Sequence, residues 1–216
     1  MATTATGASL PQKKSYGIFK KQTAEERCKS CCTFYQSKFS DIPALSSETF
    51  LSEYLASDVV LVDCRTAPER NVSMIEGAIS LKEFEKAYHR IPNNVPIITY
   101  CTIGYRSGME ARRLQQKYNL TVQSLDGIVS FTHALEKQPA GNSLKITLLD
   151  PKTKQPTTNV HCFGSVWACP DDRYTPISYS FPSLLLRTVQ VGATLVLRTL
   201  QSLGHTLRSC RKPKAD

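Results

Sequence analysis

One cysteine of this chain, Cys101, lies where its surroundings would make its sulfur reactive. It ends the apolar segment Pro96–Cys101 (PIITYC) and begins a short loop that leads into a helical pattern. The backbone N–H groups of such a loop can point together at an anion, and the positive end of the following helix adds to their effect. Both effects favour the thiolate, which is the nucleophilic form of cysteine. The sequence therefore predicts a catalytic nucleophile at Cys101 rather than a buried structural cysteine.

The residues after Cys101 supply the groups that this chemistry needs. Gly104 gives the backbone the freedom that a tight ring of amides requires, and Arg106 supplies a permanent positive charge. We expect the whole loop to hold the reacting group. The candidate substrate-binding residues are Thr102, Ile103, Gly104, Tyr105, Arg106 and Ser107.

Four segments, in the right order and at suitable spacing, resemble motifs of the rhodanese homology domain. They are Asp63–Glu69 (DCRTAPE, like Asp-x-Arg-x-x-x-Glu), Ile75–Ile79 (IEGAI, like Ile-x-Gly-Ala-Ile), Cys101–Arg106 (like Cys-x-x-Gly-x-Arg) and Leu125–Gly127 (like Leu-x-Gly). The resemblance covers residues 42–137 approximately. It implies a single α/β domain and a sulfurtransferase whose active cysteine carries sulfur as a persulfide.

The resemblance also implies a mechanism in two half-reactions. The Cys101 thiolate would take the sulfane sulfur of a small-molecule donor, and a thiol or another nucleophile would then remove it, which predicts ping-pong kinetics. Asp63 and Arg65 would support the site from behind, with Arg65 reaching donor anions. An internal ion pair that only braces the fold is an equally good interpretation of these two residues.

Two differences between this sequence and related families bear on the identity of the substrate. Cys101 and Arg106 are separated by four residues, whereas the related cell-cycle phosphatases have five, so the shorter loop favours sulfur over phosphate. Thr102 stands where thiosulfate-using relatives have Arg, and Met74 where many relatives have His. Thiosulfate is therefore a less expected donor.

Strand and helix patterns alternate through the region that carries these motifs. Apolar β-branched runs at Asp58–Asp63 and Pro96–Cys101 predict buried strands, and Gly108–Tyr118 and Gly127–Lys137 predict helices. This alternation predicts a rhodanese-like α/β domain over residues 41–138, with a mainly parallel central sheet and helices on both faces. Cys101 would lie at the carboxyl end of a strand, where such sheets bind ligands.

Three further segments flank this domain. Residues 1–40 lack a sustained apolar period and are interpreted as a flexible basic arm. Residues 139–182 are interpreted as an extension in which Leu144–Leu149 and Asn159–Trp167 form a hairpin. Residues 183–216 predict a long amphipathic helix with a basic tail.

The C-terminal helix has two interpretations. Its apolar stripe could lie on an anionic membrane, or it could dock onto the domain or onto another subunit, which we favour slightly. Arg187 and Arg198 argue against a transmembrane span. The stripe consists of Leu185, Val189, Val196, Leu200, Leu203 and Leu207.

The charge distribution argues against a nucleic-acid partner. The net charge of +9 comes from residues 1–24, with four lysines and no acid, and residues 183–216, with six basic residues and one acid. The residues between have a net charge of zero, without a basic, aromatic platform. The eight cysteines without a secretory signal predict an intracellular protein, either cytoplasmic or in a plastid or mitochondrion.

The other cysteines have weaker functional interpretations than Cys101. Cys64 could resolve a persulfide, but a small buried residue is the better interpretation. A zinc site is a minority hypothesis, so we predict no metal and no cofactor. Its ligands would come from Cys28, Cys31, Cys32, His161, Cys162 and Cys169.

Two functions stay open on the sequence. The first is a sulfurtransferase that passes sulfur through Cys101 to a thiol acceptor. The second is a non-catalytic rhodanese-like module that binds a partner, with peripheral membrane contact through the C-terminal helix. The intact Cys101 and Arg106 favour the enzyme.

Overall fold

The computed structural model describes residues 22–138 and 146–209. The strands within these residues are, in chain order, β1 (Ala44–Leu45), β2 (Val60–Asp63), β3 (Met74–Ile75), β4 (Ile79–Ser80), β5 (Ile97–Tyr100), β6 (Val122–Leu125), β7 (Leu148–Leu149), β8 (Asn159–His161) and β9 (Thr175–Ile177). The α-helices are α1 (Ala24–Gln36), α2 (Ser47–Glu53), α3 (Ala67–Arg70), α4 (Leu81–Ala87), α5 (Tyr105–Tyr118), α6 (Ile128–Glu136) and α7 (Phe181–Ser209).

The central sheet has five parallel strands in the order β1-β6-β5-β2-β4. Successive side chains of a strand point to opposite faces, so neighbouring apolar residues enter different cores. Ile98 and Leu125 belong to the core shared with α1, α2 and α6, whereas Ile97 and Val122 belong to the core shared with α4 and α5. The predicted α/β fold, with its parallel sheet and helices on both faces, is confirmed.

The connection between β6 and α6 supports the loop that follows β5. The Ile128 N–H donates to the Cys101 carbonyl oxygen (2.9 Å), and the Val129 N–H donates to that of Thr102 (3.3 Å). Gly127 makes this approach possible, since its φ is +128° and a Cβ there would lie 2.4 Å from the Thr102 carbonyl oxygen. The loop of Cys101 is therefore held from behind by backbone hydrogen bonds.

The prediction of a flexible arm over residues 1–40 is wrong from Ala24 onward. Thr23 and Glu26 form a capping box that starts α1, because each side chain accepts the other's backbone N–H. Cys28 and Cys32, one helical turn apart, bury the inner face of α1. Cysteine rather than leucine forms this stripe, which hid the helical period. Residues 1–21 of the predicted arm lie outside the described residues.

The predicted hairpin exists only as a tight turn, in which Leu149 forms an antiparallel bridge with Pro156 and the Thr157 N–H donates to the Leu148 carbonyl oxygen (3.0 Å). The predicted pairing of Leu144–Leu149 with Asn159–Trp167 is wrong. β7 instead pairs antiparallel with β3 of the domain, and β8 pairs in parallel with β9. Leu148 is fully buried against the domain, which explains why β7 pairs there. Leu144 lies outside the described residues.

The C-terminal helix α7 forms as predicted, but its orientation differs. The predicted stripe faces away from the domain, with Leu185 62%, Val189 61% and Val196 60% exposed. Val191, on the other side, lines a cavity that it shares with the domain. Docking of the helix itself onto the domain is confirmed, because its other side lies against domain residues such as Arg106 and Glu110. The prediction that the apolar stripe makes this contact is wrong. The side chains of Leu200, Leu203 and Leu207, and the tail after Ser209, lie outside what the structure describes.

Within the described chain, no helix combines the length and the apolar character that a bilayer crossing requires.

Substitution of two glycines by alanine should have opposite effects on stability. Gly127→Ala should lower the free energy of unfolding by about 1–3 kcal/mol, since it strains a positive φ and forces a methyl group against Thr102. Gly192→Ala, in α7, meets nothing within 4 Å and should stabilise by up to about 1 kcal/mol. Urea unfolding of both variants measures the difference. Equal effects would contradict the close approach of Gly127 to the loop.

Candidate active site around Cys101

Cys101 immediately follows β5 and is 1% exposed. The Ser107 hydroxyl lies 3.6 Å from Cys101 Sγ and 3.1 Å from the Gly104 carbonyl oxygen, so it can donate to either atom. The Ser124 hydroxyl donates to Ser107 Oγ at 3.1 Å. The sulfur therefore has a polar hydroxyl neighbour in an otherwise enclosed position.

The loop amides are available to a ligand. Helix α5 begins at Tyr105, and the Gly108 N–H is the first to bond back, to the Gly104 carbonyl oxygen (3.1 Å). The preceding N–H groups, from Thr102 to Ser107, donate to no protein oxygen in the described part of the chain. The first amides of a helix lack intrahelical partners, and such groups bind anions. Of the six candidate binding residues, Thr102, Ile103, Tyr105 and Arg106 line the cavity beside Cys101, whereas Gly104 and Ser107 do not.

Arg106 does not extend freely into the site. Its guanidinium donates to both carboxylate oxygens of Glu69, from Nη1 at 2.7 Å and from Nη2 at 2.6 Å. Thr102 Oγ1 accepts from Arg106 (2.9 Å) and donates to Glu69 (3.2 Å). Arg106 therefore ties the loop to α3, and Glu69 neutralises most of its charge.

Glu69 is a site residue that the sequence interpretation did not select. It is fully buried, and burial alone would raise the pKa of its carboxyl. The charge and hydrogen bonds of Arg106 outweigh burial and lower this pKa to about 2. The available signal was its place as the last residue of the Asp63–Glu69 motif.

Asp63 and Arg65 form a buried ion pair apart from the sulfur. Arg65 donates to Asp63 from Nε (3.0 Å) and Nη2 (2.7 Å), and also to the Ser73 carbonyl oxygen (2.6 Å). The Tyr100 hydroxyl donates to Asp63 at 2.5 Å. Neither Asp63 nor Arg65 lines the cavity of Cys101. The geometry favours the bracing interpretation of this pair.

A cavity of about 360 Å³ lies beside Cys101. Much of its wall comes from outside the motifs, and most of that wall is aromatic or apolar. Arg106, 5.1 Å from the Phe163 ring centroid, is its only charged lining residue in the described chain. The lining residues are Tyr35, Cys101, Thr102, Ile103, Tyr105, Arg106, Phe163, Trp167, Thr188, Val191 and Gly192. No local sequence pattern marked Tyr35, Phe163 or Trp167 as site residues.

The other described cysteines do not line the cavity beside Cys101. Cys28 and Cys32 place their sulfurs 3.9 Å apart, and Cys169 belongs to the same core. Among the described residues no group of three or more His, Cys, Asp or Glu has an arrangement that could hold a metal ion. Burial raises the pKa of the Cys64 thiol well above its usual range and that of Cys162 to about 12. These two thiols are therefore poor nucleophiles at neutral pH.

The family comparison matches the region that contains this site. Residues 47–131 fit the model of the rhodanese-like domain. The chain carries a rhodanese-like domain. The matched residues include Asp63, Glu69, Cys101 and Arg106, so the loop and its brace both lie within the domain.

Among solved structures, the chain is similar to a thiosulfate sulfurtransferase from Pseudomonas aeruginosa, with 19% identity, 56% of this chain and 24% of that chain covered, and a TM-score of 0.41. It is similar to CoADR-RHD from Bacillus anthracis (22% identity, 49% and 18% covered, TM-score 0.37). It is also similar to a rhodanese-related protein from Thermoplasma volcanium (18% identity, 45% and 95% covered, TM-score 0.37). The chain thus spans less than a quarter of the first two. No curated protein matches it significantly.

The substitution Glu69→Gln should remove the part of the pH dependence of the free energy of unfolding that comes from the Glu69 carboxyl. The pKa of Glu69 falls from its ordinary 4.5 to about 2 on folding, so its contribution to stability is complete above pH 4.5 and is lost as the pH falls through 2. The shift corresponds to about 3 kcal/mol. At pH 7 the variant should be less stable by this order, and its stability should vary less between pH 4.5 and 2, as urea unfolding would show.

Glu25→Gln is the matched control. Glu25 pairs with Lys137 on the surface, where both side chains are about half exposed. It should cost about 0.5 kcal/mol or less, because exposed ion pairs contribute little. Equal losses in the two variants would contradict a special role of Glu69.

Proposed function

We propose that this protein is a sulfurtransferase that carries sulfane sulfur on Cys101 as a persulfide. The observation that carries the proposal is the position of Cys101, whose sulfur lies beside a cavity and next to a helix start with unpaired backbone amides. Amides in this arrangement stabilise a negative sulfur, both as the thiolate and as the persulfide.

The reaction has two displacement steps. The Cys101 thiolate attacks the sulfane sulfur of a donor, so that a new S–S bond forms and the donor's bond to that sulfur breaks. The electron pair leaves with the rest of the donor. An acceptor thiolate then attacks the outer sulfur, and the Cys101 thiolate is regenerated. The two steps together transfer one sulfur atom without net oxidation or reduction of the protein.

The loop supplies most of the stabilisation. The N–H groups between Thr102 and Ser107 would surround the outer, negatively charged sulfur, and the Ser107 hydroxyl would add a donor at the inner sulfur. Arg106 contributes mainly by holding the loop, since Glu69 accepts two of its hydrogen bonds. The loss of either partner would leave a buried charge without compensation.

The cavity favours an organic sulfur donor. Phe163 and Trp167 provide aromatic surface, and Arg106, the one cation that lines the cavity among the described residues, is paired with Glu69. Thiosulfate carries two negative charges and would leave water for a wall with little free positive charge, which is unfavourable. An aromatic thiosulfonate or a low-molecular-weight organic persulfide would gain apolar contact in the same space.

Intact-mass measurement tests the proposed intermediate. After incubation with glutathione persulfide and removal of excess donor, the wild-type protein should gain the mass of one sulfur atom. Cys101→Ser should not gain it, whereas Cys64→Ser should, because the raised pKa of the Cys64 thiol makes it a poor nucleophile. Addition of a thiol acceptor should return the wild-type mass.

The controls separate chemistry from folding. Circular dichroism should show that Cys101→Ser and Cys64→Ser are folded alike. Absence of an adduct in the folded wild-type protein with organic persulfide, thiosulfonate and thiosulfate would contradict the proposal. It would favour the alternative, a non-catalytic rhodanese-like module.

The donor preference can be tested at Trp167. For Trp167→Ala, kcat/KM with benzenethiosulfonate should fall about tenfold through lost aromatic contact, whereas kcat/KM with thiosulfate should change less than about threefold. Val166→Ala is the matched control, since Val166 is the neighbouring residue, 75% exposed and outside the cavity lining. A wild-type preference for thiosulfate, or equal losses with both donors, would contradict an aromatic donor site.

A further inference from the structure

Helix α7 turns its apolar side to solvent, whereas an amphipathic helix that packs on a domain usually turns that side inward. Most of its large apolar side chains that the structure describes point outward, with Phe181 80%, Leu185 62%, Leu186 56%, Val189 61% and Leu197 61% exposed. A helix that packs on a core turns such residues inward. The outward face is therefore an uncompensated apolar surface, of the kind that marks an interaction site.

This outward face is continuous and carries no charge. Phe181, Leu185, Val189 and Val196 are spaced by four, four and seven residues, which places them along one side of the helix, with Leu186 and Leu197 at the edge of that side. From Phe181 to Leu197 the face extends for about 24 Å at the usual rise per residue. Arg187 lies off this face, half-buried, with its guanidinium 5.9 Å from the Tyr179 ring centroid and a hydrogen bond to Gln190. We call the outward residues, with Val196, the apolar face of α7.

The surrounding charge favours an anionic surface as its partner. Between Asp172 and Asp216 the sequence contains no acidic residue, although residues 25–182 as a whole have no net charge. Basic residues attract a helix to anionic lipid, and apolar residues opposite a polar face then enter the boundary of the acyl chains. Arg173 is paired with Glu136 and Asp171. The other basic residues of this stretch are Arg187, Arg198, Arg208, Arg211, Lys212 and Lys214.

The shape of the surface favours lipid as well. The apolar face is the convex side of one helix, which fits a planar, deformable boundary without a complementary groove. No helix within the described residues can cross a bilayer, so the contact would be parallel to the surface.

We propose that α7 docks this protein on an anionic membrane, with the apolar face of α7 in the lipid headgroup and acyl boundary. The domain then lies behind the helix. Val191, on the inner side of α7, lines the cavity of Cys101, so this cavity lies about one helix diameter, ~10 Å, from the lipid surface. The proposal does not depend on the chemistry of Cys101.

Vesicle sedimentation of the full chain tests this directly. The wild-type protein should bind vesicles of phosphatidylcholine with about one-third phosphatidylserine at least about tenfold more tightly than pure phosphatidylcholine, and added salt should weaken the binding. The triple variant Leu185→Gln, Val189→Gln, Val196→Gln should bind at least about tenfold more weakly, because it removes buried apolar area. These side chains are exposed, so the domain should stay folded.

The matched control is Phe34→Gln with Val166→Gln. These residues are 55% and 75% exposed and lie outside α7, so vesicle binding should stay within about twofold of wild type. Failure of the wild-type protein to bind acidic vesicles, or equal binding by the triple variant, would overturn the proposal. Sedimentation velocity adds a further outcome. A wild-type dimer that the triple variant makes monomeric, without vesicle binding, would assign the face to a second copy of the chain and overturn lipid docking.

Discussion

The ion pair between Arg106 and Glu69 is the interaction on which the Cys101 site depends. It joins the start of α5 to α3 through two hydrogen bonds, in a place where Glu69 has no contact with water. A buried pair of this kind is strongly coupled, since either charge alone would be costly in the interior. The loop between Cys101 and Arg106 is therefore anchored at both ends, by β5 and by this pair.

This constraint changes what Arg106 can do. A guanidinium that already donates to both oxygens of a carboxylate has less charge to offer a substrate. Stabilisation of a negative sulfur then falls to the backbone amides at the start of α5, whose direction the loop determines. Backbone donors in a rigid loop need little reorganisation when charge develops. The side chain of Arg106 and the backbone of its loop thus have separate tasks.

The surroundings of the sulfur come largely from segments outside the matched domain. Tyr35 of α1, Phe163 and Trp167 of the extension and Val191 of α7 complete the cavity. The domain therefore supplies the nucleophile and the amides, while the flanking segments supply the shape and polarity of the space in front of them. Function in such a fold is decided at the site and not by the fold alone.

Much of the domain could be read from the sequence, because local patterns there coincide with burial. The β-branched run that ends at Asp63 and the run that ends at Cys101 predicted central strands, and the residues after Cys101 predicted a loop and helix. The chemistry of Cys101 could be proposed because neighbours in the sequence are also its neighbours in space. The helix α1 was missed, since its buried residues are cysteines, which gave no clear apolar period.

Only the tertiary structure decided the rest, since it depends on contacts between distant segments. Glu69 and Arg106 are 37 residues apart, and no local sequence pattern predicts that they pair. The strand β7 pairs with β3 across the chain because Leu148 finds a buried position there. The sequence by itself determined that α7 is amphipathic, since the helical period sorts its side chains. Which side faces the domain depends on the surface available for packing, and that surface exists only in the folded protein.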